Sequence, residues 1–163
     1  MSKKINFICE LIPKIEHNLI IDVGCDHGYL SIKLIENKQS KLVINIDNKK
    51  EPLNNAIQNV IRHNYQTQII NILNDGLKNL NQKINFCIPN PNYIVIAGIG
   101  TNAIIKILQN DNFSIKETNF ILQSEGNINQ LKNYLKTNNF EIKNEINKII
   151  KERNFNFILM KKL

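Results

Sequence analysis

Five short apolar runs recur along this chain, separated by stretches of mostly helical periodicity, and that alternation constrains the fold more than any other feature. The runs are LIIDVG (19–24), KLVINID (41–47), TQIINILND (67–75), NYIVIAG (92–98) and NFILQS (119–124). They are continuous rather than alternating, as expected of strands covered on both faces in a parallel sheet. Helices are predicted over 3–12, ending near Pro13, and over 29–37, with Leu30, Leu34 and Ile35 inward. Further helices are predicted over 51–64, with Pro52 in the first turn and Leu53, Ile57, Val60 and Ile61 on one face, and over 101–110 and 128–139. Residues 78–91 give no clear pattern. The tail reads as two strands, 140–152 and 154–162, joined tightly at Arg153-Asn154, the second alternating Phe155, Phe157 and Leu159. The pattern predicts an α/β fold: a doubly wound, mostly parallel sheet closed by a C-terminal antiparallel hairpin, with all 163 residues in one domain.

In such sheets ligands sit beyond the carboxyl ends of the strands. The chain places an acid or a glycine at four of those ends: Asp22 and Gly24, Asp47, Asp75 and Gly76, and Ala97-Gly98. Gly24 and Gly28 lack the Cβ atoms that would keep a ligand from the backbone. An acid closing the second strand can accept both hydroxyls of a ribose, and Asp75 can accept from an adenine amino group. An adenosine-containing cofactor fits this set. The turn between Gly24 and Gly28 holds Asp26 and His27, and a carboxylate there would repel a pyrophosphate, which prefers a bare glycine turn at a helix N-terminus. S-adenosylmethionine carries a sulfonium cation and no phosphate, so the acid favours it over NAD or ATP.

Composition adds less. The net charge is +7, which suits a polyanionic partner, but nearly all the positive charge is lysine, as an AT-rich coding sequence would also produce. Cys9, Cys25 and Cys87 are far apart and show no metal-binding spacing, so no metal is expected. No apolar run approaches the length that spans a bilayer, and Cys9 and Glu10 interrupt the start, so no membrane or secretory role is expected and the cytoplasm is the predicted location.

The stretches LIIDVGCDHGYL, DGL (75–77), IVIAGIG (94–100) and FILQ (120–123), with ELIP ahead of the first strand, resemble the bacterial tRNA (adenine-N1)-methyltransferases that act at position 22 of tRNA. The resemblance implies a class I (Rossmann-like) methyltransferase fold, S-adenosylmethionine as cofactor and tRNA as partner. It matches Asp22, Gly24 and Gly28 to the cofactor turn, and Asp47 to the ribose acid, usually glutamate in the family. It matches Asp75 and Gly76 to the adenine side, Ala97, Gly98 and Gly100 to the substrate-facing loop, and Asp26 to an acid beside the methyl group. The chain departs from the family pattern at Thr101, where a glycine is usual, and at Ser124-Glu125, where Pro-Asn is usual. It ends at Leu163, without the family's C-terminal helical domain. The sequence NPNY (90–93) looks like a loop of exocyclic-amine methylases, but it precedes the fourth strand instead of following it and reads as a turn.

Adenine N1 attacks a methyl donor without prior deprotonation, so the protein contributes positioning and electrostatics. Asp26 is the expected catalytic carboxylate, set against a role as helix cap. His27 and Tyr29 are candidates to meet the base, and Lys3 and Lys4 to meet phosphates; so are Lys14, Lys49, Lys50, Lys148, Lys151, Arg153, Lys161 and Lys162. The competing readings are a methyltransferase of another substrate, a non-catalytic RNA-binding relative and, third, an NAD dehydrogenase. A monomer is the expected state.

Overall fold

The structure, a computed structural model, describes residues 2–84, 89–110 and 117–163. The chain forms two compact units, Met1–Gly76 and Leu77–Leu163. In the first, helix α1 (Lys3–Leu11) precedes β1 (His17–Val23), α2 (Tyr29–Glu36), β2 (Ser40–Asp47), α3 (Lys50–Arg62) and β3 (Ile69–Leu73). The strand order is β3-β2-β1, parallel throughout, with Leu19 beside Leu42 and Val43 beside Ile69. Ile and Val dominate these strands; Leu19, Ile20, Ile21, Val43, Ile44 and Ile46 are fully buried, as continuous apolar runs between helices require.

The third strand is shorter than the apolar run suggested. It ends at Leu73, and Asn74, Asp75 and Gly76 form the turn beyond it. On α3 the buried stripe is Leu53, Ala56, Asn59 and Val60, whereas Ile61, expected inward, is 45% exposed. Spacings of three and four residues from Leu53 reach Ala56 and Val60, and Ile61 falls one position past that stripe.

The second unit holds α4 (Leu80–Lys83), β4 (Tyr93–Ile99), α5 (Thr101–Gln109), β5 (Asn119–Ser124), α6 (Ile128–Thr137), β6 (Phe140–Ile150) and β7 (Arg153–Lys162). The one-turn helix α4 lies within the stretch that carried no sequence pattern. The order is β4-β5-β7-β6: β4 and β5 are parallel, and β7 is antiparallel to both neighbours, leaving β6 at the edge. Phe120, Ile121, Leu122 and Phe157 are fully buried, and Leu131 and Leu135 of α6 have no exposed surface. Phe120 meets Phe140 edge-to-face at 6.5 Å.

The hairpin turns two residues earlier than expected. Ile150 pairs with Arg153, and Lys151 and Glu152 form the turn with φ of 48° and 65°. Two left-handed residues match the right-handed twist of a two-residue hairpin, a job usually given to Asn-Gly. Because β7 lies between two strands, Ile158 and Met160 are buried as well as Phe157, and the expected simple alternation is lost.

Candidate active site

In the first unit β1 delivers Asp22 and then the turn Gly24–Gly28. The turn is stitched to the next strand, since the N–H groups of Gly24 and Cys25 both donate to the Ile46 carbonyl, at 2.8 and 3.1 Å. Asp26 at its tip adopts φ 50°, a left-handed conformation that few side chains tolerate. Two contacts hold it there. The Asp26 N–H donates to Oδ2 of Asp47 at 3.3 Å, and Nδ2 of Asn59 on α3 donates to the His27 carbonyl at 3.0 Å. The Asp26 carboxylate is 68% exposed, with Oδ2 3.7 Å from Nε2 of His27. The exposed rings of His27 and Tyr29 lie 5.7 Å apart. The tip therefore presents an acid, an imidazole and a phenol to the outside. Asp26 does not cap α2: the cap position is Gly28, and no side chain bonds the free N–H groups there.

Gly28 has φ 70°, and a Cβ on it would lie 3.1 Å from both the Cβ of Ala56 and Nδ2 of Asn45. The glycine lets the turn pass closely over α3, which seats Asn59 against His27.

Asp22 and Asp47 flank this turn, and Asp75 follows the third strand. Asp22 is buried, and its carboxyl finds no hydrogen-bond partner among the described residues. Burial, then the charges of Asp47 and Asp26, push it up to about 7. Asp47 is nearly buried; its Oδ2 accepts from Asp26, and its Oδ1 accepts from the Lys49 N–H at 3.0 Å. Asp75 is exposed beyond β3, in a turn held by Asn74, whose N–H donates to the Asp47 carbonyl and whose Nδ2 donates to the Gly76 carbonyl at 2.8 Å. A buried acid crowded by Asp47 and Asp26 favours a cationic ligand, and an anionic pyrophosphate would be repelled by the same group of carboxylates. The donor set therefore fits a sulfonium or ammonium ligand. Cys25 is buried and its thiol is pushed far up by burial, so it is not a nucleophile; Cys87 lies outside the described residues.

In the second unit the loop after β4 is a bulge. Ala97 pairs with Gln123 and Ile99 with Ser124, so Gly98, at φ 78°, is the extra residue. Its N–H donates to Oε1 of the buried Gln123 at 3.0 Å. Gly100 is exposed and caps α5. The departures at Thr101 and Ser124 are coupled: their hydroxyls lie 2.6 Å apart, and the Thr101 hydroxyl also donates to the Asn127 carbonyl at 3.0 Å.

The basic tail does not form one surface. Lys148, Lys151 and Arg153 lie around the hairpin turn, while Lys161 and Lys162 are at the other end of the ten-residue β7, roughly 30 Å away. Lys3 and Lys4 occupy the first turn of α1. Asn59 and Gln123 escaped the sequence reading as functional residues; the one signal for Asn59 was a polar side chain on the inward stripe of its helix. Among the described residues no helix is long and apolar enough to cross a membrane.

A family model described as a methyltransferase domain matches residues 1–160. The chain belongs to that family. M. capricolum TrmK, solved with S-adenosyl-homocysteine, superposes on this methyltransferase domain with a TM-score of 0.85 at 31% identity, covering 99% of this chain and 69% of that one. The B. subtilis m1A22 tRNA methyltransferase TrmK shares the fold, with a TM-score of 0.84 at 20% identity over 99% of this chain and 66% of that one. These matches carry the α/β, Rossmann-like fold expected from the sequence. A Mycoplasma genitalium protein, MG248, whose name assigns it provisionally to the tRNA methyltransferases, is 32% identical over 80 residues. That match spans 49% of this chain and about a third, 35%, of the relative.

Proposed function

We propose that this chain is an S-adenosylmethionine-dependent methyltransferase that modifies N1 of an adenine in tRNA, at position 22. The observation that carries the reading is the cluster of carboxylates at this turn, with Asp22 buried, Asp47 accepting from the Asp26 N–H and Asp26 displayed at the tip. Asp22, Gly24, Gly28 and Asp47 would hold the cofactor, with Asp75 and Gly76 on its adenine side; the resemblance assigns Ala97 and Gly98 to cofactor binding as well. When bound, the cofactor supplies an electrophilic methyl group, which the N1 lone pair of adenine accepts in line.

The methylated ring is cationic and its N6 group more acidic. Asp26 faces that group: its carboxylate orients the amino hydrogens, stabilises the developing positive charge and can take a proton afterwards. His27 and Tyr29 offer faces on which an unpaired base can stack. The resemblance assigns Gly100 to the substrate-facing loop, and a Cβ there would meet nothing within 4 Å. Lys3 and Lys4 sit at the positive end of the α1 dipole, where lysine gains the helix nothing, and phosphate contact gives them a use.

Unmodified tRNA incubated with labelled cofactor should acquire N1-methyladenosine. Asp26→Asn should lower turnover by about a hundredfold or more while cofactor affinity stays within a few-fold. Undiminished turnover would remove Asp26 from the chemistry. Cofactor binding without tRNA methylation would point to another substrate, and no cofactor binding at all would refute the assignment.

A further inference from the structure

The unusual Ser124-Glu125 pair and the exposed Arg153 have no part in the scheme above, yet they meet. Nη2 of Arg153, at the foot of the hairpin turn, bonds Oε2 of Glu125. Its guanidinium also lies 5.1 Å from the ring centroid of Phe155, which restrains it from a second side. The other Glu125 oxygen, Oε1, accepts from Nε2 of Gln123 at 3.3 Å. The same Nε2 donates to the Ser124 carbonyl at 2.9 Å, and Oε1 of Gln123 accepts the Gly98 N–H at 3.0 Å. A continuous chain of polar contacts thus runs from the hairpin tip to the bulge after β4. Gln123 is 1% exposed, so its orientation is decided by these partners and not by water. The Ser124 carbonyl and the Glu125 carboxylate together favour Nε2 at their end of the amide, which leaves Oε1 facing the Gly98 N–H.

We propose that Arg153 is a positioning residue: acting through Glu125 and Gln123, it holds the Gly98 bulge and the substrate-facing loop that follows. The assignment to this loop rests on the methyltransferase reading above; the contact chain itself does not. The Arg153–Glu125 pair stands in for the loop rigidity that proline would give at position 124.

Amide hydrogen exchange at Gly98, read in the free protein, tests the chain of contacts independently of activity. Arg153→Ala should speed Gly98 exchange about threefold or more, the scale of a partly exposed ion pair. Lys151→Ala, which removes a neighbouring cation outside the chain, should leave it unchanged. Arg153→Lys, which keeps a cation beside Glu125 and leaves the acceptor for Gln123 Nε2 in place, should hold protection to within about twofold. In methyl transfer to tRNA, Arg153→Ala should lower kcat with KM for the cofactor unchanged, and Arg153→Lys should keep most of it. Unaltered Gly98 exchange in Arg153→Ala overturns the proposal, as does a variant that alters only KM for tRNA and its salt dependence, which would make Arg153 a phosphate contact. If the wild type transfers no methyl group, the methyltransferase reading fails, and exchange at Gly98 still decides whether Arg153 holds the bulge.

Discussion

Replacing Gly28 by alanine isolates the packing that seats the Asp26 turn. Two costs add. The residue sits at φ 70°, and a left-handed conformation costs a non-glycine residue roughly 1–2 kcal/mol. The new Cβ would stand 3.1 Å from the Cβ of Ala56 and from Nδ2 of Asn45, and 3.4 Å from the Cα of Ala56. Relieving that crowding in a packed interior costs about 1–3 kcal/mol. Alanine also restricts the unfolded chain, which returns about 0.4–1 kcal/mol. The net expectation is a loss of about 2–4 kcal/mol, a large share of the roughly 5–15 kcal/mol that holds a domain together. The chain has no tryptophan, so urea unfolding is best followed by far-UV circular dichroism. The midpoint should fall by about 1 M or more with the slope unchanged. Gly100→Ala is the control: its φ of −68° is ordinary and its Cβ would meet nothing within 4 Å, so stability should stay within about 0.5 kcal/mol. Adding Ala56→Gly to Gly28→Ala removes one of the two 3.1 Å contacts, so, relative to Ala56→Gly alone, part of the crowding cost should be recovered and the backbone part should remain. Equal losses for Gly28→Ala and Gly100→Ala would refute the reasoning.

Other outcomes follow from the same geometry. Asp22 is held near pKa 7 in the folded chain against an ordinary 3.8, so the folded state binds the extra proton between those values. Stability should therefore fall as pH rises from about 4 to about 7 and then level off; Asp22→Asn should flatten the slope and raise the melting temperature at pH 8 but not at pH 4. For the same reason, binding of the cationic cofactor at pH 6 should release a proton, seen by calorimetry as a dependence of binding heat on buffer ionisation. Asn59→Leu leaves the His27 carbonyl without its partner and should cost about 1–3 kcal/mol of stability while lowering turnover more than cofactor affinity. The affinity for tRNA should drop steeply with salt, and replacing Lys3 and Lys4 with alanine should make the log–log slope shallower by roughly 1.5; an unchanged slope would remove both lysines from the RNA surface.

The α/β alternation was legible because it rests on local periodicity, and so were the acids and glycines at the strand ends. What the sequence hid depends on distance along the chain. The Asn59–His27 contact joins residues 32 apart, and Gln123 reaches Gly98 across 25. Neither has a local signal, because an inward polar side chain in a sequence looks like a break in a pattern until its partner is known. The hairpin turn was misplaced for another reason. Lys151 and Glu152 take left-handed conformations with no glycine or asparagine to announce them, and the long pairing of β6 with β7 imposes what local preference opposes. The burial of Asp22 was also invisible, since an acid after an apolar run reads equally as an exposed loop residue.

The edge strand β6 has a consequence for handling the protein. Along its eleven residues only Phe140 and Ile150 are buried, and between them stand Glu141, Lys143, Glu145 and Lys148. A second copy approaching that open edge in register would have to strip water from these charges and set like beside like. Despite one of the longest strands in the molecule ending its sheet, concentrated solutions should resist fibril growth, and that resistance is written in four side chains rather than in the backbone.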